Sequence, residues 1–256
     1  TLTRRLAAEF IATAFLLAAV AGSGIMADRL AGGNAALALL ANTIAIGAAL
    51  VALILTFGPI SGGHFNPVVT LCDAWKGVIT AREAVFYLPA QFAGALLGVA
   101  IANLMFDLPA FFASTKVRTG PSQWLGEFVA TFGLLAVIWG CTRLRKVVIV
   151  PFAVGAYITA ACWFTSSTSF ANPAVTVARS LTDTFTGIRP ADVPAFIVAQ
   201  IAGGVAATLF FSWLIPLKSD EVLMSHEQIY ETASFRLRRK LMPKPDGRSI
   251  RANSWR

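Results

Sequence analysis

The chain has 256 residues, of which 56% are hydrophobic and only 13% are charged, and its mean hydropathy is +0.68. A water-soluble domain carries about 25% charged residues, so the composition excludes an ordinary soluble protein and indicates an integral membrane protein. The net charge of +8 does not indicate a nucleic-acid partner, because the basic residues do not gather on an aromatic-interleaved surface.

Six apolar blocks have the length that crosses a bilayer, about 20 residues for about 30 Å of hydrocarbon. We place the six spans near residues 6–27, 35–57, 83–106, 122–142, 147–165 and 193–217. The first block follows Arg4 and Arg5 and resembles a signal peptide. Because landmarks in it recur later in the chain, we expect it to be a span and not a cleaved leader.

Two Asn-Pro stretches, Ser61–Thr70 and Ser169–Thr176, interrupt the spans. Asn is a favoured N-cap and Pro suits the first helical turn, so each stretch predicts a helix start. About ten apolar residues follow, which is too short to span, so both stretches are predicted to be half-helices that enter from opposite sides. The non-helical residues before each cap are predicted to line a watery cavity. The candidate pore-lining loop residues are Gly62, Gly63, His64 and Thr168.

Three landmarks recur in the same order in the two halves of the chain. They are Glu9-Phe-Ile-Ala-Thr and Glu127-Phe-Val-Ala-Thr, the two Asn-Pro pairs, and Gln91-Phe-Ala-Gly and Gln200-Ile-Ala-Gly. Three spans per half make the repeat inverted. The predicted fold is therefore an all-α membrane protein with six transmembrane helices and two half-helices in an inverted repeat. The channel domain covers 1–218, with repeats at about 4–106 and 121–217, and a basic tail follows at 219–256.

Basic residues are distributed unequally between the two faces of this topology. Sixteen of the 21 Lys and Arg residues fall on the face that carries both termini. The positive-inside rule therefore predicts that both termini are cytoplasmic. Cys72, Cys141 and Cys162 have no metal-ligand or disulfide spacing, so they are expected to be small buried hydrophobic residues.

The facing half-helices determine which solutes could pass. Each helix N-terminus carries roughly half a positive charge, so a cation or proton meets an electrostatic barrier where the two ends meet. The side-chain amides of Asn66 and Asn172 would donate hydrogen bonds to neutral, oxygen-bearing solutes. The pattern predicts a channel for uncharged molecules.

Each Asn-Pro pair and the residue after it form an Asn-Pro-Ala-like box, accompanied by the Ser-Gly-Gly-His-Phe-Asn-Pro run and the paired Glu-x-x-x-Thr spans. Together these features resemble the aquaporin and aquaglyceroporin family, the major intrinsic proteins, over residues 4 to about 217. The resemblance implies a homotetramer in which every subunit has its own pore. It implies no cofactor or metal, and it gives Glu9 and Glu127 the role of bracing the loops. His64 is expected to be a packed, neutral imidazole rather than a gate. The residues of the central constriction implied by the resemblance are Asn66, Pro67, Val68, Asn172, Pro173 and Ala174.

The sequence departs from the family pattern at its second box. Val68 replaces the usual Ala of the first box, and Val175 stands where water-selective members have Arg. By family position the selectivity filter is Ile46, Ala160, Ser169 and Val175. These side chains predict a wide, apolar filter without a fixed charge. Arg179, one helical turn beyond Val175, is either a cation at the outer mouth or a helix C-terminal cation.

The pattern is similar to bacterial aquaglyceroporins linked to arsenic resistance. It implies passive permeation of glycerol-like polyols, arsenous acid and related metalloid species, and water, across a bacterial-type inner membrane. A narrow water-selective aquaporin, an ion-coupled secondary transporter and a structural membrane protein are the alternatives. An enzyme is not expected, because the sequence shows neither a metal-ligand cluster nor a nucleophile and base pair. The expected partners are small neutral solutes and the lipid bilayer.

Overall fold

The computed structural model describes residues 1–144 and 146–216, and these residues form eight α-helices and no strand. The predicted tail at 219–256 lies outside the described residues. The helices are α1 (Leu2–Leu30), α2 (Ala35–Ser61), α3 (Pro67–Trp75), α4 (Ala81–Met105), α5 (Pro121–Arg143), α6 (Val150–Phe164), α7 (Pro173–Arg179) and α8 (Val193–Leu214). Single 3₁₀ turns, Val147–Ile149 and Pro190–Asp192, precede α6 and α8.

The six predicted spans are confirmed. In the described residues, α1, α2, α4, α5, α6 and α8, the last two with their 3₁₀ turns, form six apolar segments of 18 to 29 residues that can cross a membrane. Large apolar side chains such as Phe15, Leu125 and Trp213 point outward and are 62, 62 and 75% exposed. Such side chains suit contact with lipid, whereas the backbone of each span is satisfied within its own helix.

Two short helices begin at the Asn-Pro pairs, as predicted. Asn66 Oδ1 accepts a hydrogen bond from the backbone N–H of Val68 at 2.9 Å, and Asn172 Oδ1 accepts one from Ala174 at 3.0 Å. The helices that follow, α3 and α7, have 9 and 7 residues, so neither can span a bilayer. The non-helical segment before Asn66, which we call the first loop, starts at Gly62, one residue later than expected. Ser61 still belongs to α2, and Gly62, at φ 95°, ends that helix.

The inverted repeat is visible in equivalent close contacts between helices. A Cβ added to Gly94 of α4 would lie 2.3 Å from the carbonyl oxygen of Phe10 in α1. A Cβ added to Gly203 of α8 would lie 2.4 Å from the carbonyl oxygen of Phe128 in α5. Only glycine permits this approach, and the pairing of α1 with α4 is therefore reproduced by α5 with α8.

The molecule has two ends, which we name by the chain termini. At the terminal face, where α1 begins and α8 ends, the guanidinium of Arg5 is paired with Glu83 at the start of α4. At the opposite, distal face, Arg29 near the end of α1 donates a hydrogen bond to the carbonyl oxygen of Phe106 at 2.8 Å. The connections 31–34, 106–120 and 180–189 lie at the distal face.

Candidate functional site

A cavity of about 340 Å³ runs through the middle of the helix bundle. Asp73 and Val147 line it toward the terminal face, and Arg118 and Arg179 line it toward the distal face. Both capping asparagines line its centre. One continuous cavity therefore receives side chains from both halves of the repeat.

The two loops that enter the bundle are joined at the centre by their asparagines. Asn66 Nδ2 donates to the carbonyl oxygen of Ala171, and Asn172 Nδ2 donates to that of Phe65, both at 2.7 Å. Phe65 and Ala171 have φ values of 48° and 49°, a conformation that costs about 1–3 kcal/mol for a non-glycine residue. Each asparagine amide retains a second N–H, so the cavity centre offers two hydrogen-bond donors.

Glu9 holds the first loop from beneath. Its side chain is fully buried, and its two oxygens accept hydrogen bonds from Ser61 Oγ at 2.6 Å, His64 N at 3.1 Å and Phe65 N at 2.8 Å. Gln91 Nε2 donates a fourth at 2.8 Å. A buried carboxylate is tolerated only with such donors, and here the donors include the backbone of the strained loop.

Glu127 occupies the equivalent place in the second repeat. Its oxygens accept from the backbone N–H groups of Phe170 and Ala171, both at 2.9 Å, and from Gln200 Nε2 at 2.5 Å. Gln200 also donates to Thr176 Oγ1 at 2.8 Å, so α7 is tied to the same network. Both glutamates therefore accept hydrogen bonds from the backbone of the residues just before a capping asparagine.

The predicted constriction residues divide into two groups. Only Asn66 and Asn172 among them line the cavity. The other four are buried and start the half-helices, and they do not line the cavity; they are Pro67, Val68, Pro173 and Ala174. Val68 instead packs toward α8, where a Cβ added to Gly204 would lie 2.3 Å from Val68 Cγ1.

The four predicted loop residues lie along the cavity, and His64 makes two close side-chain contacts there. Gly62, Gly63, His64 and Thr168 all line the cavity. His64 Nδ1 lies 3.0 Å from Thr70 Oγ1, and its Nε2 lies 3.1 Å from Asp73 Oδ2. The imidazole is therefore held from two sides, as expected of a packed side chain.

Three of the four predicted filter positions line the cavity, namely Ile46, Ser169 and Val175. The fourth, Ala160, is wrong, since it is exposed on the outside of α6. The spacing to Asn172 predicts Ala160 at this position, but a two-residue shift in helical register turns a side chain by about 200°. Cys162 and Ile158 are the α6 residues that face the cavity at this level.

Arg179 is placed at the distal end of the cavity, on the same side of α7 as Val175. Its side chain is only 5% exposed and lines the cavity. Its Nε donates to the carbonyl oxygen of Thr186, and its guanidinium lies 3.3 Å from the centroid of the Phe170 ring. The structure thus brings the Arg179 cation to the cavity, one turn beyond Val175.

The family model for the major intrinsic proteins matches residues 1–169 and 145–236 of the chain. The chain belongs to this family. It is 56% identical over 214 residues to the aquaglyceroporin AqpS of Rhizobium meliloti (strain 1021), which covers 84% of this chain and 91% of that protein. It is also 36% identical over 182 residues to a probable TIP-type aquaporin of Medicago truncatula, covering 66% of this chain and 71% of that protein.

A solved structure shows the same fold. The X-ray structure of the aquaglyceroporin from Plasmodium falciparum superposes with a TM-score of 0.65 at 20% identity, covering 87% of this chain and 99% of that one. The resemblance to the major intrinsic proteins is therefore confirmed. Among the described residues of this family member, no three His, Cys, Asp or Glu side chains are grouped so as to hold a metal ion.

Sequence reasoning missed two further cations in this major intrinsic protein. Lys116 and Arg118, from the connection between the repeats, also line the distal end of the cavity. Arg118 Nε donates to Gly187 O at 2.8 Å and its Nη1 to Ser167 O at 3.0 Å. Burial lowers the pKa of Arg118 to about 10, which leaves it charged at neutral pH. The Lys-x-Arg spacing was the only signal in the sequence, and it does not reveal where a loop folds.

Proposed function

We propose that this protein is a passive transmembrane channel for small uncharged solutes, namely glycerol-like polyols, arsenous acid and related metalloid species, and water. The observation that carries the proposal is the continuous cavity, which passes between Asn66 and Asn172 and is lined by Ile46 and Val175 toward the distal face. A solute whose hydroxyl oxygens accept hydrogen bonds from the two amides and whose apolar surface contacts Ile46 and Val175 fits this lining.

Charge exclusion follows from the two half-helices. Their N-termini meet where Asn66 and Asn172 each donate a hydrogen bond to the opposite loop, so roughly half a positive charge from each end faces the centre of the cavity. A cation or proton would meet this field in a region of low dielectric constant, where the repulsion is strong. Neutral molecules experience no such barrier.

The side chains near Val175 set the size limit. Ile46, Cys162, Ser169 and Val175 line the cavity between its centre and the three cations at its distal end, and none of these four residues carries a charge. We infer that these four residues form the selectivity filter, with Cys162 in the place first expected for Ala160. An apolar filter admits solutes larger than water, which argues against a narrow water-selective aquaporin.

The relatives support the same class of solute. The protein from Rhizobium meliloti is named an aquaglyceroporin, and it shares 56% of residues with this chain over most of both lengths. Arsenous acid is a neutral trihydroxy molecule at neutral pH and has the donor and acceptor pattern of a polyol. We therefore include it among the proposed solutes on chemical grounds.

We further propose the membrane arrangement. The terminal face would be cytoplasmic in a bacterial-type inner membrane, because the described residues Arg4, Arg5, Lys76, Arg82, Arg143 and Lys146 all lie toward it. The distal end of the cavity, with Arg179, would then face outward. A homotetramer, with one pore in every subunit and Glu9 and Glu127 bracing its loops, is the proposed assembly.

The deciding experiment is stopped-flow light scattering of proteoliposomes with water, glycerol and arsenous acid gradients. For Val175→Arg we expect glycerol and arsenous acid flux to fall about tenfold while water flux is largely kept, because the long cation narrows the cavity. Val175→Leu is the matched control, since it stays apolar and of similar size, and its fluxes should remain near wild type.

Three outcomes would count against the proposal. Wild-type vesicles that equilibrate no faster than empty ones would exclude a channel. Unchanged glycerol flux in a folded Val175→Arg protein would exclude the filter assignment. Flux that depends on a proton or sodium gradient would instead support the ion-coupled transporter.

A further inference from the structure

Three cationic side chains, Lys116, Arg118 and Arg179, line the distal end of the cavity, and we call this region the distal vestibule. Arg118 and Arg179 lie against the ring of Phe170, and Lys116 lies against that of Phe185. In the described part of the chain, none of the three cations takes part in a salt bridge. Every hydrogen bond that their side chains make ends on a neutral oxygen. Converging, partly desolvated positive charges without a counter-ion are costly, so the arrangement favours an anionic ligand.

Arg179 supplies the best-placed donors. Its Nε is used by Thr186 O and one face of the guanidinium is covered by Phe170. Its two terminal nitrogens make no hydrogen bond to any described residue, although the side chain is 95% buried, being 5% exposed. Two neighbouring N–H groups on a fixed plane form the fork that binds two oxygens of a carboxylate or phosphate.

Arg118 adds a second guanidinium beside the same ring. Its carbon Cζ lies 5.0 Å from the Phe170 centroid, and Nε and Nη1 are held by Gly187 O and Ser167 O. Its Nη2 remains for a ligand. Lys116 Nζ donates one hydrogen bond to Phe185 O at 2.6 Å, which leaves two of its three N–H groups.

The carboxylates near the vestibule are engaged elsewhere. Asp183 accepts hydrogen bonds from Thr115, and Asp192 is paired with Arg189 while it accepts the backbone N–H of Arg118. Glu127 accepts hydrogen bonds from the backbone of the second loop, and Asp28 acts on Lys116 only through its electrostatic field.

The three cations of the vestibule also repel one another. Burial is the largest cause that lowers the pKa of Lys116, and repulsion by Arg118 and Arg179 lowers it further. The vestibule therefore keeps an excess of positive charge.

We infer that the distal vestibule binds a small oxyanion, the size of inorganic phosphate, through the free guanidinium nitrogens of Arg179 and Arg118 with Lys116 at its edge. A bound oxyanion would occupy the distal entrance of the cavity and obstruct neutral solutes. The binding rests on the cavity geometry alone, whereas the obstruction rests on the proposed channel function.

Binding is tested first, on the detergent-solubilised full chain. Its melting temperature is measured against sodium phosphate, with sodium chloride at equal ionic strength as the reference. A ligand of the folded state raises the melting temperature in a saturable way. We expect this rise for the wild type, and Arg118→Gln and Arg179→Gln should each need about tenfold more phosphate for the same rise.

Arg29→Gln is the matched control. Arg29 is an exposed arginine of the same face that does not line the cavity, so its loss changes the net charge equally and should leave the phosphate response at the wild-type value. No phosphate-specific rise in the wild type, or a rise unchanged in Arg118→Gln, would overturn the inference. Arg118→Gln decides the matter if Arg179→Gln does not fold.

Obstruction is tested second, by adding phosphate to the distal side of proteoliposomes that carry a glycerol gradient. Glycerol flux should fall with phosphate in the wild type and in Arg29→Gln, and much less in Arg118→Gln. Phosphate binding without any flux of glycerol, arsenous acid or water above that of empty vesicles would uphold the vestibule site and refute the channel proposal. Glycerol flux that stays constant under saturating phosphate would overturn the obstruction.

Discussion

Asp73 and Arg179 occupy equivalent positions in the two half-helices, each seven residues after the capping asparagine. Both charged side chains lie against the ring that stands two residues before that asparagine. His64 Nε2 is 3.1 Å from Asp73 Oδ2, and the Phe170 centroid is 3.3 Å from the guanidinium of Arg179. Both repeats therefore have a charged side chain against this ring, but the charged residue is acidic in the first repeat and basic in the second.

This relationship gives the cavity a direction. Asp73 lines the end toward the terminal face, whereas Arg179 and the two cations beside it line the distal end. Val175, one turn closer to the centre, is apolar, so the fixed charges of Asp73 and the three cations sit toward the two ends of the cavity and not in its middle. A neutral solute crosses the middle without a charged side chain beside it.

The register of α6 can be tested by the reactivity of single cysteines toward a small, water-soluble thiosulfonate. In a protein with Cys72 and Cys141 changed to Ala, Cys162 should be modified and the modification should block glycerol flux, because its side chain lines the cavity. Ala160→Cys, placed in the same background with Cys162→Ala, should leave the flux unaffected, because residue 160 faces outward. Block at 160 and not at 162 would restore the original filter assignment.

The sequence predicted whatever depended on local or repeated signals. Each Asn-Pro pair specifies a cap and a first turn, so the half-helices at Pro67 and Pro173 could be located to the residue. The recurrence of Glu9 at Glu127 predicted equivalent roles, and their hydrogen bonds are indeed equivalent.

Features that depend on how a loop folds could not be predicted. The connection between α6 and Asn172 sets which α6 side chain faces the cavity, and counting residues across it placed Ala160 there instead of Cys162. Arg118 reaches the cavity from the long connection between the repeats, where no periodicity constrains its direction. Both depend on contacts between residues distant in sequence.

Removing a bracing glutamate should destabilise the loop that it holds. Glu127→Gln places an amide group against the N–H donors of Phe170 and Ala171. We expect the free energy of unfolding to fall by about 3 kcal/mol and solute flux to be lost. Glu83→Gln is the control, because Glu83 lies at the partly exposed terminal face in an ion pair with Arg5 and should cost about 1 kcal/mol or less. Melting temperatures compare the two, and equal values would contradict the bracing role.

The helix contacts of the repeat predict a matched pair of glycine substitutions. Gly94→Ala and Gly203→Ala push a methyl group against the backbone oxygens of Phe10 and Phe128, so each should cost about 1–3 kcal/mol. At Gly22 the nearest atom to an added Cβ is 3.5 Å away, so Gly22→Ala should be neutral or gain up to about 1 kcal/mol from helix propensity. Thermal melting should rank Gly22→Ala above the other two, and the reverse order would refute the close packing.

Asp183 connects two distal loops in a pH-dependent way. Its Oδ1 accepts from the backbone N–H of Thr115 at 2.9 Å, and the hydroxyls of Thr115 and Ser114 also donate to this carboxylate. These hydrogen bonds, the one from the Thr115 backbone first, lower the pKa of Asp183 below its usual value. A carboxyl group with a lowered pKa in the folded state stabilises the fold at pH values above its unfolded-state pKa of about 4. That stabilisation is lost as the pH falls through the folded-state pKa.

The test is Asp183→Asn, compared with the wild type by thermal melting between pH 7 and pH 3. Since the carboxylate is largely exposed, the difference at pH 7 should be about 1 kcal/mol or less in favour of the wild type. As the pH falls below about 4 toward the lowered folded pKa of Asp183, the difference should shrink, because the wild-type carboxyl group becomes protonated and then accepts hydrogen bonds no better than the amide. A difference that persists unchanged to pH 3 would show that the loops are joined by packing and not by the ionised carboxylate.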